Sequence, residues 1–161
     1  VYAEADLGLV VVNAVRLILG EHVLGIRVDA DARDHRYARP DDAVLKKSLT
    51  DLQYRVARQD GTEPPFDNAY WDNKRAGIYV DIVSGEPLFA SSDKYESGCG
   101  WPSFDDAIPG AVVRKPDADG VRTEILCATC GGHLGHVFPD GPHPTGQRFC
   151  MNSASLDHKP A

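Results

Sequence analysis

Leu45, Leu49, Leu52 and Val56 recur at steps of three and four, the spacing of one helical face. Pro40, Asp41 and Asp42 stand just ahead of them, and acidic residues favour a helix N-terminus. Thr50 with Gln53 three residues later is a capping-box pattern, which predicts two short helices meeting at that point. Gly61 is expected to end the second helix, and Glu63-Pro64-Pro65-Phe66 to run as extended loop. From Ala76 onward the text changes to short β-like runs: Gly77 to Val83, Leu88 to Ala90, Ala111 to Arg114, Val121 to Cys127, His133 to Phe138 and Gln147 to Met151. Turn-rich connections such as Ser84-Gly85-Glu86-Pro87 and Pro139-Asp140-Gly141-Pro142 separate them. The pattern predicts a mainly β (α+β) fold, two packed antiparallel sheets flanked by short N-terminal helices. Before this unit, Val15 to Leu19 and Val23 to Val28, broken by Gly20 and Glu21, fit a hairpin, and a buried helix almost as well. Asp29 to Arg39 is charged and reads as a linker. The expected organisation is therefore an N-terminal extension over residues 1–39, without a functional reading, and one domain over 40–161.

Composition narrows the classes. At 161 residues, 42% hydrophobic and 25% charged, the chain has one ordinary globular core rather than a disordered or fibrous make-up. A formal charge of −7 argues against nucleic acid as a partner. No apolar run is long enough to span a membrane. Leu7 to Leu19 is interrupted by Arg16 and preceded by Glu4 and Asp6, which is not a signal-peptide pattern. A cytoplasmic protein with reduced thiols is the expectation. Four cysteines are too few for a disulfide scaffold and enough for one redox pair or one metal site.

Cys99 lies in Ser97-Gly98-Cys99-Gly100-Trp101, where flanking glycines give a pliable loop. It reads either as an exposed thiol or as a small buried one in a turn. Around Cys150, strand alternation puts Arg148, Cys150 and Asn152 on one face and Phe149 and Met151 on the other. A cationic neighbour favours the thiolate, which is the nucleophilic form. The competing reading has Cys150 in the core and Arg148 as a solvated edge charge. His133 and His136, three apart in a strand, are expected on opposite faces. His22, His35, His143 and His158 read as surface residues. Cys127-Ala128-Thr129-Cys130 is half of a metal-site pattern.

Gly-Cys-Gly-Trp-Pro-Ser-Phe at 98–104, His-Leu-Gly-His-Val-Phe-Pro-Asp-Gly-Pro at 133–142 and Gly-Gln-Arg-Phe-Cys-Met-Asn-Ser at 146–153 together resemble the methionine sulfoxide reductase B family. Thr62 to Phe66 resembles its N-terminal signature, and the likeness runs from about Arg39 to about Leu156. The resemblance implies thiol-dependent reduction of the R epimer of methionine sulfoxide, mostly peptide-bound. It makes Cys150 the nucleophile that becomes a sulfenic acid. It makes Cys99 the resolving cysteine, forming a Cys99–Cys150 disulfide that thioredoxin reduces. His136 and Asn152 would position substrate and assist proton transfer. Trp101 would pack on the S-methyl group, and Arg148 would sit on the substrate side.

Oxidised proteins and thioredoxin are the implied partners of a monomer that needs no cofactor. Many family members hold structural zinc with two Cys-x-x-Cys pairs. Here the first pair is replaced by Asp81 and Ser84, so Cys127 and Cys130 are a half-site and structural zinc is not expected. The family often carries a further histidine between Phe104 and Arg122; this segment is short, and Asp119 stands near that position. Two rival readings use the second pair. One is a non-catalytic zinc-ribbon-like binding module built on Cys127, Cys130 and His133 or His136. The other is a general dithiol oxidoreductase working through Cys127 and Cys130.

Overall fold

Two short helices form where the capping pattern predicts them. In the computed structural model, which describes residues 37–161, α1 spans Asp42–Ser48 and α2 spans Asp51–Gln59. The apolar runs between Val15 and Val28, and His22 and His35, lie outside the described residues. The capping box is complete: Gln53 N–H donates to Thr50 Oγ1 at 3.2 Å, and Thr50 N–H donates to Gln53 Oε1 at 2.9 Å. The left-handed residue at the end of α2 is Asp60, φ 53°, rather than Gly61. Aspartate tolerates this conformation better than most side chains, and the Gly61 N–H closes the turn on Arg55 O. Leu45 and Val56 are buried, so the predicted apolar face docks on the sheets.

All strand pairs are antiparallel. The smaller sheet has the order β2-β1-β9, with β1 Gly77–Asp81, β2 Pro87–Ala90 and β9 Leu156–Pro160. The larger has the order β3-β4-β8-β7-β6-β5. Its strands are β3 Lys94–Tyr95, β4 Ser103–Phe104, β5 Val112–Pro116, β6 Thr123–Cys127, β7 His133–Phe138 and β8 Arg148–Met151. The mainly β, two-sheet architecture with flanking helices is the one expected. The core lies between the sheets. Phe89 of the small sheet stacks on Phe104 of the large one with centroids 4.5 Å apart, and Tyr79 meets Phe104 edge-on at 5.1 Å. Such ring pairs contribute about 0.5–1.5 kcal/mol each beyond their buried area.

Three features of the pairing position the site. In β8, Phe149 and Met151 are buried while Arg148 and Cys150 are partly open, as alternation requires. In β7 the pairing to β6 shifts between Ile125 and Leu126 because Leu134 is an extra residue there. That bulge resets the alternation. His133 and His136 therefore do not sit on opposite faces; their rings meet edge-on, centroids 5.6 Å apart. Gly135 lies opposite Met151, and a Cβ there would come within 2.1 Å of Cys150 O, so only glycine lets β7 and β8 approach. β9 has no apolar alternation strong enough to be read from sequence. It carries His158 against the rings of Tyr79 and Tyr70, at 4.8 and 6.2 Å, which corrects the surface reading of that histidine. Burial pushes the His158 imidazole below its ordinary pKa.

Candidate active site

The strand pair β4–β8 places Ser103 opposite Cys150, and the glycine-flanked loop before β4 brings Cys99 in from the side. The two sulfurs, fifty-one residues apart in the chain, stand 3.5 Å from each other. Both residues are partly exposed. Ser97 Oγ donates to Cys99 Sγ at 3.0 Å, and Ser103 Oγ lies 3.3 Å from the same sulfur. The Cys150 S–H hydrogen bond, followed by those hydroxyls, lowers Cys99 to about 4 against the opposing effect of burial. Cys150 is pushed up, first because it shares its proton with Cys99 and then by burial; the Arg148 charge opposes this more weakly. The two sulfurs share one proton; the Ser97 and Ser103 hydroxyls favour the thiolate at Cys99, and Arg148 favours it at Cys150.

Beside Cys150 is a cavity of about 120 Å³ whose lining includes Thr62, Trp101, Arg122, His136 and Asn152. His136 is the direct cross-strand partner of Cys150. Trp101 is fixed by its indole N–H, which donates to Glu63 O at 3.1 Å. Asn152 is fixed from two sides: its Nδ2 donates to Leu134 O at 3.2 Å, and its Oδ1 accepts from Glu63 N at 3.2 Å. Glu63, only 3% exposed, accepts the backbone N–H groups of Ser153 and Ala154 with its carboxylate. Burial raises its pKa, partly offset by those N–H groups. This one residue ties the indole, the amide and the turn after β8 together. Sequence reading treated it as loop. Its only signal was a carboxylate next to Pro64-Pro65, and nothing local announces that it will be buried.

Arg148 stands outside this cavity. It forms a two-pronged ion pair with Asp140 at 2.8 and 3.0 Å and lies 4.4 Å from the centroid of the Phe138 ring. It borders a second hollow of about 370 Å³ that includes Cys99, Tyr95 and Asp140. The two sulfurs therefore separate two openings. His133 is buried and bonded to Glu124 at 2.6 Å. Asp119 is turned away from His136: it binds the N–H groups of Val121 and Arg122 and the Arg122 guanidinium. Asp117 takes the place at the histidine, Oδ2 to Nε2 at 2.5 Å.

Asp81, Ser84, Cys127 and Cys130 stand together where structural zinc would be held. Asp81, Cys127 and Cys130 are buried, with ligand atoms within 4.8 Å of one another. Cys130 Sγ donates to Asp81 Oδ2 at 3.1 Å, and Ser84 Oγ donates to the same oxygen at 2.7 Å. Cys127 Sγ donates to Glu86 Oε2 at 3.6 Å. A closed structural zinc site takes four nitrogen, sulfur or carboxylate donors. Ser84 offers only a hydroxyl, already engaged with Asp81, so Asp81, Ser84, Cys127 and Cys130 supply three such donors and not four. No other step depends on it. Among the described residues, no helix is long and apolar enough to cross a membrane.

The SelR domain family matches residues 49–160. The Hahella chejuensis protein named peptide methionine sulfoxide reductase MsrB is 56% identical over 118 residues, covering 71% of this chain and 85% of that protein. The Agrobacterium fabrum protein of the same name is 50% identical over 122 residues, covering 74% of this chain and 90% of its own. A Vibrio cholerae protein named peptide methionine sulfoxide reductase MsrA/MsrB is 55% identical over 123 residues. The match covers 74% of this chain and 32% of that longer protein. The matched span contains both sulfurs, the indole and the imidazole described above, and with it this chain belongs to the SelR-domain, methionine sulfoxide reductase B family.

Proposed function

We propose that this chain reduces the R epimer of methionine sulfoxide, mainly in oxidised proteins, through a Cys150 sulfenic acid and a Cys99–Cys150 disulfide that thioredoxin reopens. The observation that carries the reading is the 3.5 Å approach of the two sulfurs at the edge of a cavity walled by Trp101, His136 and Asn152. In the first step Cys150 Sγ passes its proton to Cys99 and bonds to the substrate sulfur, the S–O oxygen passes to Cys150 as hydroxyl, and methionine leaves. The Cys150 sulfur is oxidised by two electrons and the substrate sulfur is reduced by two. The oxygen leaves poorly unless it is protonated, which is the task of His136, with Asn152 holding the substrate. Trp101, immobilised through Glu63, offers a flat wall to the S-methyl group; sulfur–aromatic contact contributes about 0.3–1.5 kcal/mol. Inverting the sulfur exchanges methyl and oxygen, so one epimer loses both contacts.

In the second step the Cys99 thiolate attacks the Cys150 sulfur, the S–O bond breaks, and the hydroxide leaves as water with one added proton. The Ser97 and Ser103 hydroxyls at its sulfur favour the thiolate for that attack. The dithiol of thioredoxin then returns two electrons and two protons to the pair. Arg148, from the far side, keeps a positive field near both sulfurs. The protein is read as a monomer working in a reducing cytoplasm, with no cofactor and no structural zinc required. Cys127 and Cys130 are 1% and 6% exposed, which does not support the general dithiol oxidoreductase.

Turnover of dabsyl-methionine R-sulfoxide tests the reading. Cys150→Ser should abolish it with either reductant. Cys99→Ser should keep the dithiothreitol reaction and lose the thioredoxin-driven one. Activity in Cys150→Ser would overturn the mechanism.

A further inference from the structure

The loop from Pro116 to Arg122 holds the one carboxylate that touches the cavity histidine among the described residues. It is a tight turn: Asp117 N–H donates to Arg122 O, and Gly120 N–H donates back to Asp117 O. Asp119 locks it by accepting the N–H groups of Val121 and Arg122 at 2.8 and 2.9 Å and by binding Arg122 Nε at 2.6 Å. Arg122, so held, lines the cavity and lies 3.4 Å from Asp117 Oδ2. That same oxygen is 2.5 Å from His136 Nε2. Both partners are largely buried, with side chains 19% and 15% exposed. The chain of contacts runs Asp119, Arg122, Asp117, His136, and it ends on the cross-strand partner of Cys150.

We propose that Asp117 is a positioning residue for the reduction: it fixes the His136 ring beside Cys150 and decides which imidazole nitrogen exchanges the proton. This rests on the role given to His136 above. A carboxylate only accepts hydrogen bonds, so Nε2 must carry hydrogen whenever the contact is made. Nδ1 is then the nitrogen left to exchange a proton with the sulfoxide oxygen. Arg122 restrains the carboxylate from its other side.

Charged and titratable groups face His136 from several sides. From the loop come Asp117 and Arg122. Glu124 lies across β6, its carboxylate turned to His133, and His133 itself stands on β7. Cys150 faces it from β8, with Arg148 two residues away. Of these, Asp117 is the group in direct contact with the His136 ring nitrogen.

The experiment is a kinetic series on Asp117→Asn, Asp117→Ala, Asp117→Glu and His136→Gln, with the ¹⁵N spectrum of the neutral His136 ring read for its tautomer. Asn keeps the size and polarity and removes the charge. It should lower kcat about tenfold or more with KM changed less than about twofold, within the range of general-acid effects. The neutral ring should weaken its preference for hydrogen on Nε2 in Asn and lose it in Ala. Glu should restore part of the rate and of that preference. If His136→Gln is slow but Asp117→Asn and Asp117→Ala match wild type in rate and tautomer, the Asp117 proposal is overturned and the reading of His136 stands. If His136→Gln is as fast as wild type, that reading fails and takes the Asp117 role with it. Should Asp117→Asn not fold, Asp117→Ala decides: wild-type rate and tautomer overturn the proposal.

Discussion

Cys99 and Cys150 approach to 3.5 Å, and Cys127 and Cys130 gather with Asp81 inside 4.8 Å. The first pair lies between two openings and is met by hydroxyl and thiol donors. The second is buried behind the β6–β7 turn and is met by the carboxylates of Asp81 and Glu86. Donors stabilise a thiolate; carboxylates and burial stabilise a thiol. Cys99 is accordingly lowered to about 4, while Cys150 and Cys130 are each pushed up by the partner thiol and by burial, and Cys130 by Asp81 as well. Proximity of two sulfurs is common to both regions. What separates a redox pair from a structural one is the sign of the groups around it and a path to solvent.

The largest expected difference is in activity. Cys150→Ser should lose at least about 10³-fold, as removal of a covalent nucleophile does. Cys127→Ala and Cys130→Ala should stay within about twofold of wild type, because neither touches the cavity. A comparable loss in Cys130→Ala, in a folded protein, would erase the distinction between the pairs.

Alkylation of the reduced protein sharpens the comparison next. A thiol lowered to about 4 stays thiolate as pH falls from 8 and loses that form only near its pKa. Iodoacetamide should therefore still label Cys99 at about pH 6, with the label located by peptide mapping. Cys150→Ala removes the largest cause of the lowering and should slow that labelling at least about tenfold, while Cys127 and Cys130 stay unlabelled until unfolding.

Stability distinguishes them more gently. Cys130→Ala leaves buried Asp81 short of a donor and Gly132 N–H short of an acceptor. It should cost about 1–3 kcal/mol in urea unfolding. Glu63→Ala should cost a similar amount by orphaning the Ser153 and Ala154 N–H groups. It should also lower activity, since Asn152 and Trp101 are held through the same segment. The smallest expected effect is a null: chelation should leave the melting temperature unchanged, and purified protein should carry no stoichiometric zinc. One tightly held zinc lost with Cys130→Ala would make the second pair a metal site.

Much of this was legible in the chain. The capping box at Thr50 and Gln53 and the alternation through Cys150 are properties of a few consecutive residues, and the fold reproduces them. The bulge at Leu134 was not legible, because a single added residue leaves no mark on the apolar pattern while it rotates every later side chain. Nor was the choice of Asp117 over Asp119, which depends on how a six-residue turn closes on its own backbone. Glu63 escaped for the opposite reason, since a carboxylate beside prolines reads as solvent-facing until distant N–H groups arrive to satisfy it.

The sequence by itself determined the residue types and their local faces: two reactive sulfurs, an indole, an imidazole and an amide, set in recognisable motifs and in strands of known period. Only the tertiary structure decided which donors gather at each sulfur, which carboxylate meets the imidazole and which thiols are sealed away. Strand period is a local steric property of the backbone. The field around a titrating atom is a sum over groups that register and loop closure bring in from elsewhere.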